Sequence, residues 1–171
     1  PVKRIDDVLS LFVQVQKSLP SSQRCVLFLV GDGPERSRLE ALTTSLGLHH
    51  SVRFLGMQHD FRELLQHSDV FLLPSALEGF GLSALEALSC GVPVVASRAG
   101  GLVEVVQDGQ TGFLCPVGDV EAMADAVRDI LTHPALHARL SDAARQIVEQ
   151  RWQTGPIVSL YEALYSQISS R

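Results

Sequence analysis

Two rhythms alternate along this chain. Val8, Leu11, Phe12 and Val15 recur at helical spacing, which predicts an amphipathic helix over about residues 5–19. CVLFLVG (residues 25–31) is a continuous apolar run ending at glycine, as expected of a strand buried on both faces of a parallel sheet. GPERSRLEALTTSLG then starts a helix with Pro34 near its first turn and stops it near Gly47. The rhythm repeats. VRFLG (52–56), DVFLLP (69–74), VPVVAS (92–97) and TGFLCP (111–116) read as strands. FRELLQHS, SALEALSCG, GLVEVVQDG and DVEAMADAVRDILTH read as the helices and turns between and after them. Two further helices close the chain, at about residues 134–150 and 155–168.

Strands alternating with helices of about ten residues mean βαβ units. The expected fold is α/β: one doubly wound, Rossmann-like parallel sheet of about six strands with helices on both faces. No internal repeat or linker interrupts it. In such sheets ligands sit outside the carboxyl ends of the strands. The loops to inspect are therefore residues 31–34, 56–60, 74–82, 97–101 and 112–118.

Composition narrows the function classes. With 171 residues, 46% hydrophobic and 19% charged, the chain suits one globular domain with a real core. Its formal net charge of -5 argues against a general nucleic-acid binder but not against a small anionic ligand. No apolar run reaches membrane-span length and no leader pattern opens the chain. Membrane-surface association of a longer protein stays open. Cys25, Cys90 and Cys115 are odd in number and lie in apolar contexts, which predicts free thiols in a reducing, cytoplasmic setting. The opening PVKRIDDVLSLF lacks Met and enters a helix at once, as expected of a piece of a longer protein.

Two loops carry candidate chemistry. GDGP (residues 31–34) joins a strand to a helix; Gly31 and Gly33 would let backbone approach a ligand, and the helix N-terminus would offer N–H groups to an anion. The complete dinucleotide spacing is absent, because Arg36 stands at its last glycine position. EGFGLSALE (residues 78–86) places Glu78 and Glu86 around Gly79, Phe80 and Gly81 at the start of a helix. A carboxylate can accept from two neighbouring sugar hydroxyls at about 1.5–3 kcal/mol per charge-assisted bond. Ser83-Ala84-Leu85-Glu86 equally matches a capping box, in which Glu86 would serve its own helix and bind nothing. Lys3 and Arg4 read as solvated charge at a frayed terminus. His133 and His137 lie four apart on a helix with no third ligand nearby, so no metal site is expected. The lone Trp152 reads as a packing anchor.

The order VGDGPER, VRFLG, DVFLLPSALEGFGLSALEALSCGVPVVAS, GG and DGQTGFL resembles the C-terminal, donor-binding domain of retaining glycosyltransferases of family 4, with the GT-B fold. The likeness covers nearly the whole chain, and Glu78-x7-Glu86 is its most specific part. It implies that Glu78 holds donor-sugar hydroxyls and that Glu86 holds the ribose of the nucleotide. Phe80, Gly81 and Leu82 would face sugar and diphosphate. Lys3 would neutralise the leaving diphosphate, making Glu78 and Lys3 the catalytic pair. Phe54, Leu55 and Gly56 would border the base, while Gly31 and Gly33 would line the cleft. The donor implied is a nucleotide sugar, a UDP-sugar above all, with no metal or other cofactor. The opening PVKRIDDVL draws the likeness towards the branch serving bacillithiol biosynthesis, with UDP-N-acetylglucosamine as donor and L-malate as acceptor.

An acceptor-binding N-terminal domain of the same chain would be the partner, and without it this domain is expected to be inactive. Two positions depart from the family: Val103 stands where proline is usual, and the arginine that normally precedes the lysine lies beyond the start of the chain. A sugar or lipid acceptor, a non-catalytic nucleotide module, a nicotinamide-dependent domain and a GT-B epimerase are the alternatives.

Overall fold

The computed structural model describes residues 2–152 together with Gly155 and Tyr165. The elements run α1 (Ile5–Ser18), β1 (Leu27–Val30), α2 (Arg36–Ser45), β2 (Val52–Gly56), α3 (Arg62–Gln66) and β3 (Phe71–Leu73). They continue with α4 (Leu82–Ser89), β4 (Val94–Ser97), α5 (Leu102–Val105), β5 (Gly112–Cys115), α6 (Val120–Thr132) and α7 (Pro134–Arg151). The α/β alternation is as the hydrophobic pattern predicts. The closing helix expected over residues 155–168 lies, apart from Gly155 and Tyr165, outside the described residues.

All strand pairs are parallel. The strand count differs from expectation: there are five strands among the described residues rather than about six. They form two sheets, ordered β1-β2 and β3-β4-β5. Each of the helices α2, α4 and α5 links two strands that lie side by side. The helix α3 links the two sheets.

Burial follows from this division. β4 has a partner on each edge and helices over each face, and all four of its residues are buried. β1 was expected to be covered on both faces and is not. Leu27 and Leu29 pack under α1 and α2, whereas Phe28 and Val30 are 43% and 41% exposed on the opposite face. An edge strand with helices on one side only has no second layer to hide in.

Three clusters make the core. One gathers β3, β4, α4 and α7 around Leu88, Val94, Leu102 and Ala144. The second gathers α1, α6 and α7 around Leu11, Val15, Met123 and Leu140. The third joins α1 to β1, β2 and α2 through Leu9, Phe12, Leu39 and Val52. Thus α1 straddles both sheets, its Leu9 and Phe12 on one and its Leu11 and Val15 on the other. Asp6 on α1 also takes a two-pronged ion pair from Arg38 of α2, at 2.6 and 2.9 Å. Local signals fix the last two helices. The Asp119 carboxylate accepts from the Ala122 N–H at 3.0 Å, and Pro134 opens α7 where an N–H is dispensable.

Candidate functional site

The strands all end on one rim, and two groups of the expected residues gather there. The first lies at the ends of β1 and β2. The Gly31 N–H donates to the Gly56 carbonyl at 2.8 Å. Gly33 donates to the Asp32 carboxylate at 2.8 Å, and Arg36 bridges Asp32 and Glu40 at 3.0 and 2.9 Å. Gly56 adopts φ +66 directly over the Arg36 guanidinium.

Both glycine amides of GDGP are already bonded, and Asp32 and Glu35 set negative charge where α2 begins. The Gly33 N–H and Arg36 hold the Asp32 carboxyl below the usual carboxylate range, so its charge persists at neutral pH. Gly31 and Gly33 shape the rim rather than donate to it. Of the strand-end trio, Phe54 packs into the core under α1 and the Leu55 carbonyl accepts from the Gln58 amide at 2.7 Å. Met57, 71% exposed just beyond, is the apolar surface at that point.

The second group lies at the ends of β3 and β4. Lys3 Nζ donates to Glu78 Oε2 at 2.6 Å, joining the two expected catalytic residues across 75 positions of sequence. The lysine end is 56% exposed and the carboxylate 18%. Lys3 is therefore no frayed charge. Its neighbour Val2 accepts from the Ala76 N–H at 2.8 Å, and Arg4, in the left-handed region at φ 47, pairs with Asp7 at 2.6 Å.

Gly81, at φ 92, is the N-cap of α4. A left-handed residue there costs little only for glycine. Helix α4 therefore begins at Leu82, and Ser83 sits inside its first turn. No side chain caps the helix, so the capping box does not form. Glu86 lies on the exposed face of α4, one turn beyond Leu82, and its carboxylate has no partner among the described residues. Among the described residues the Leu82 and Ser83 N–H groups likewise find no backbone acceptor, and the first turn carries no acid. Such an end attracts anions.

The loop between β3 and α4 is held from beneath. Phe80 turns its ring away from the rim, edge-on to Trp152 with centroids 5.2 Å apart, which presents the backbone of residues 79–81 outward. The packing role expected of Trp152 is what the structure shows. From the next loop, the Gly101 N–H donates to the Glu78 carbonyl at 3.0 Å. A Cβ on Gly100 would strike that carbonyl, and one on Gly101 would strike the Gly79 carbonyl and Phe80 Cα. Buried Ser75 adds a long 3.4 Å contact from its hydroxyl to Glu78. The site list read from sequence omitted Ser75, Gly100 and Gly101; the paired glycines of the 97–101 loop were the available signal.

No group of three His, Cys, Asp or Glu side chains able to hold a metal occurs among the described residues. His133 and His137 instead meet the backbone carbonyls of Asp129 and Asp69 at 2.9 and 3.1 Å. The thiols of Cys25, Cys90 and Cys115 are free. No described helix is long and apolar enough to cross a membrane.

Comparison with known proteins agrees with this geometry. Residues 1–147 match the family described as glycosyl transferases group 1. N-acetyl-alpha-D-glucosaminyl L-malate synthase of Bacillus anthracis is 41% identical over 98% of this chain and 43% of its own length. D-inositol 3-phosphate glycosyltransferase of Saccharomonospora viridis is 36% identical over 94% of the chain and 40% of its own length. Among solved structures, sucrose-phosphate synthase of Thermosynechococcus elongatus superposes with a TM-score of 0.86 at 32% identity, covering 99% of this chain and 43% of that one. Anabaena Alr3699/HepE in complex with UDP-glucose gives 0.84 at 30%, covering 100% and 46%. The chain thus spans less than half the length of the relatives it matches. The fold is that of the GT-B glycosyltransferases, and the chain belongs to the group 1 glycosyl transferases.

Proposed function

We propose that this chain is the donor-binding half of a retaining glycosyltransferase that uses a UDP-sugar. One observation carries the reading. Lys3, Glu78, Glu86 and the unpartnered amides of Leu82 and Ser83 meet at one rim, with acid and base in contact and a helix start free of acids beside them. The relative from B. anthracis, an N-acetylglucosaminyl L-malate synthase, supports UDP-N-acetylglucosamine as donor and L-malate as acceptor in the longer protein. Transfer to another sugar or a lipid is the second reading. The lipopolysaccharide core glycosyltransferases LpsE and LpsD of Rhizobium meliloti, 36% and 33% identical, favour it.

In this reading Glu86 accepts from the ribose hydroxyls, reached from the exposed face of α4. Glu78 accepts from hydroxyls of the donor sugar. The diphosphate lies at the start of α4, and Lys3 moves from Glu78 to the phosphate oxygens. There it stabilises the negative charge that grows as the glycosidic C–O bond breaks. The acceptor hydroxyl attacks the face that the departing UDP leaves, and its proton passes to the leaving phosphate, so configuration is retained. Lys3 and the helix dipole supply the positive charge, and no metal or cofactor is invoked. The acceptor site belongs to an N-terminal domain of the same longer chain. The isolated chain binds donor without turning it over.

The test is a UDP titration followed by NMR or calorimetry. Glu86→Ala should weaken UDP by tenfold or more, about 1.4 kcal/mol, with the fold intact, while Ser83→Ala leaves the affinity near wild type. If millimolar UDP moves no resonance of the α4 start, the reading fails.

A further inference from the structure

Cations in this chain tend to sit on carboxylates. Arg4, Arg36, Arg38, Arg98 and Arg128 each do so. Lys17 and Arg24 do not: neither has an ion-pair partner among the described residues. Both line one cavity of about 610 Å³, together with Gln16, Cys25, His50 and Ser51. Buried Leu19 forms part of its wall. Among the described residues no carboxylate lines it. The chain carries a net charge of -5, so an acid-free pocket with two unpaired cations departs from the rest of its surface.

The cavity lies where α1 ends and where β1 and β2 begin, at the opposite end of the strands from the rim that carries Glu78. The 14 residues of α1 put about 21 Å between it and Lys3. Lys17 has a local duty, since it stands in the last turn of α1 and offsets the negative end of that helix. Arg24 and His50 have no such duty, because they lie in loops outside every helix and strand. The loop ahead of β1 adds donors. Gln23 turns back to the Pro20 carbonyl at 2.8 Å, while the N–H groups of Ser21, Arg24 and Cys25 find no backbone acceptor among the described residues. Burial pushes the Cys25 thiol up, so it stays neutral and puts no negative charge in the pocket.

We propose that this cavity is a second ligand site, separate from the rim, for a small dianion: a phosphate monoester or a dicarboxylate. Arg24 offers the planar fork that fits either group with two parallel hydrogen bonds, and Lys17 adds a compact charge from the end of α1. The unpartnered amides and a ring N–H of His50 supply neutral donors. The volume suits a ligand of metabolite size. A neutral sugar would leave both cations unmatched. A nucleic acid would reach past the pocket onto a chain of net negative charge. Nothing in this inference depends on the identity of the donor at the rim.

The test is amide NMR on the longer protein, titrated separately with inorganic phosphate, with malonate, and with sodium chloride at matched ionic strength. Phosphate or malonate should give saturable shifts at residues 17–25 and 50–51 at millimolar concentration, and the tighter of the two names the charged group of the ligand. Lys17→Ala and Arg24→Ala should each weaken binding about fivefold, and the double variant should abolish saturation. Arg62→Ala, at an exposed arginine outside the cavity, should change nothing. The Leu82 and Ser83 amides are read in the same spectra, so a response at the rim is scored apart from one at the cavity. Three results would overturn the proposal. Chloride could produce the same shifts, which is plain screening. Saturation could be absent at residues 17–25 while the spectrum stays that of the folded protein. The double variant could bind both probes as the parent does.

Discussion

Replacing Gly101 by alanine adds one methyl group where the loop after β4 presses on the loop before α4. The backbone at Gly101 is ordinary, at φ -67 and ψ -9, so alanine brings no conformational strain there. The whole effect is contact. The new Cβ would lie 2.6 Å from Phe80 Cα and closer still to the Gly79 carbonyl. Relaxing to van der Waals distance pushes residues 79–80 outward by about 1 Å, the overpacking costing about 1–3 kcal/mol. A shift of about 1 Å at a positioning loop can cost on the order of 100-fold, and this loop carries Glu78 and the start of α4. Urea unfolding of Gly101→Ala should therefore show a loss in that range, and UDP affinity by calorimetry should fall by at least tenfold. The control is Gly109→Ala. Gly109, unlike Gly101, holds a left-handed conformation, φ +73, and has open space around it. Alanine there should cost about 1 kcal/mol and leave UDP binding unchanged. If Gly101→Ala binds UDP as the parent does, the two loops do not act as one unit.

Lys3→Ala breaks an ion pair whose lysine end is mostly in water, so stability should change by less than about 1 kcal/mol. UDP affinity should fall roughly 10- to 100-fold while uridine affinity holds, and equal losses for both would remove Lys3 from the diphosphate. Phe80→Ala takes away the edge-on partner of Trp152 and should cost about 3 kcal/mol. That is a fall in Tm of roughly 6–12 °C by circular dichroism, and an unchanged melt would contradict the packing. Burial, with help from Asp119 and Asp108, pushes the Cys115 thiol up to about 11. Alkylation of the native chain at pH 8 should reach Cys90 well before Cys115, as read by peptide mass mapping. Because the folded state holds that proton more tightly, the associated stability is complete below the thiol's ordinary pKa and declines as pH rises towards 11.

Elements with strong local signals were legible in sequence. VPVVAS reads as a strand buried on both sides and is one, because it has a neighbour on each edge. CVLFLVG has an equally apolar composition, yet half of it meets solvent. Composition reports what a strand can bury and not what lies beside it. The capping box was a misreading with a local cause. Ser83-x-x-Glu86 fits the motif, but Gly81 takes the left-handed cap two residues earlier and draws Ser83 into the helix. At GDGP the glycines are plain in the sequence while their occupied amides show only in the fold, although Asp before Gly is the usual mark of a side-chain-to-backbone turn. The contact of Lys3 with Glu78 and the support of Glu78 by Gly101 span long separations. No local pattern encodes them, and only the resemblance to a known family pointed to the first.

Trp152 gives this chain an optical consequence. It is the only tryptophan, its indole N–H is buried with no acceptor among the described residues, and its ring touches Phe80, next to the Gly81 cap. An indole kept from water emits at short wavelength, and its quantum yield responds to small movements of a neighbouring ring. The natural fluorescence of the chain is therefore a label-free reporter in contact with Phe80, two residues before the start of α4. Under the proposed donor-binding role, a stopped-flow trace with UDP would report on that loop with no dye attached.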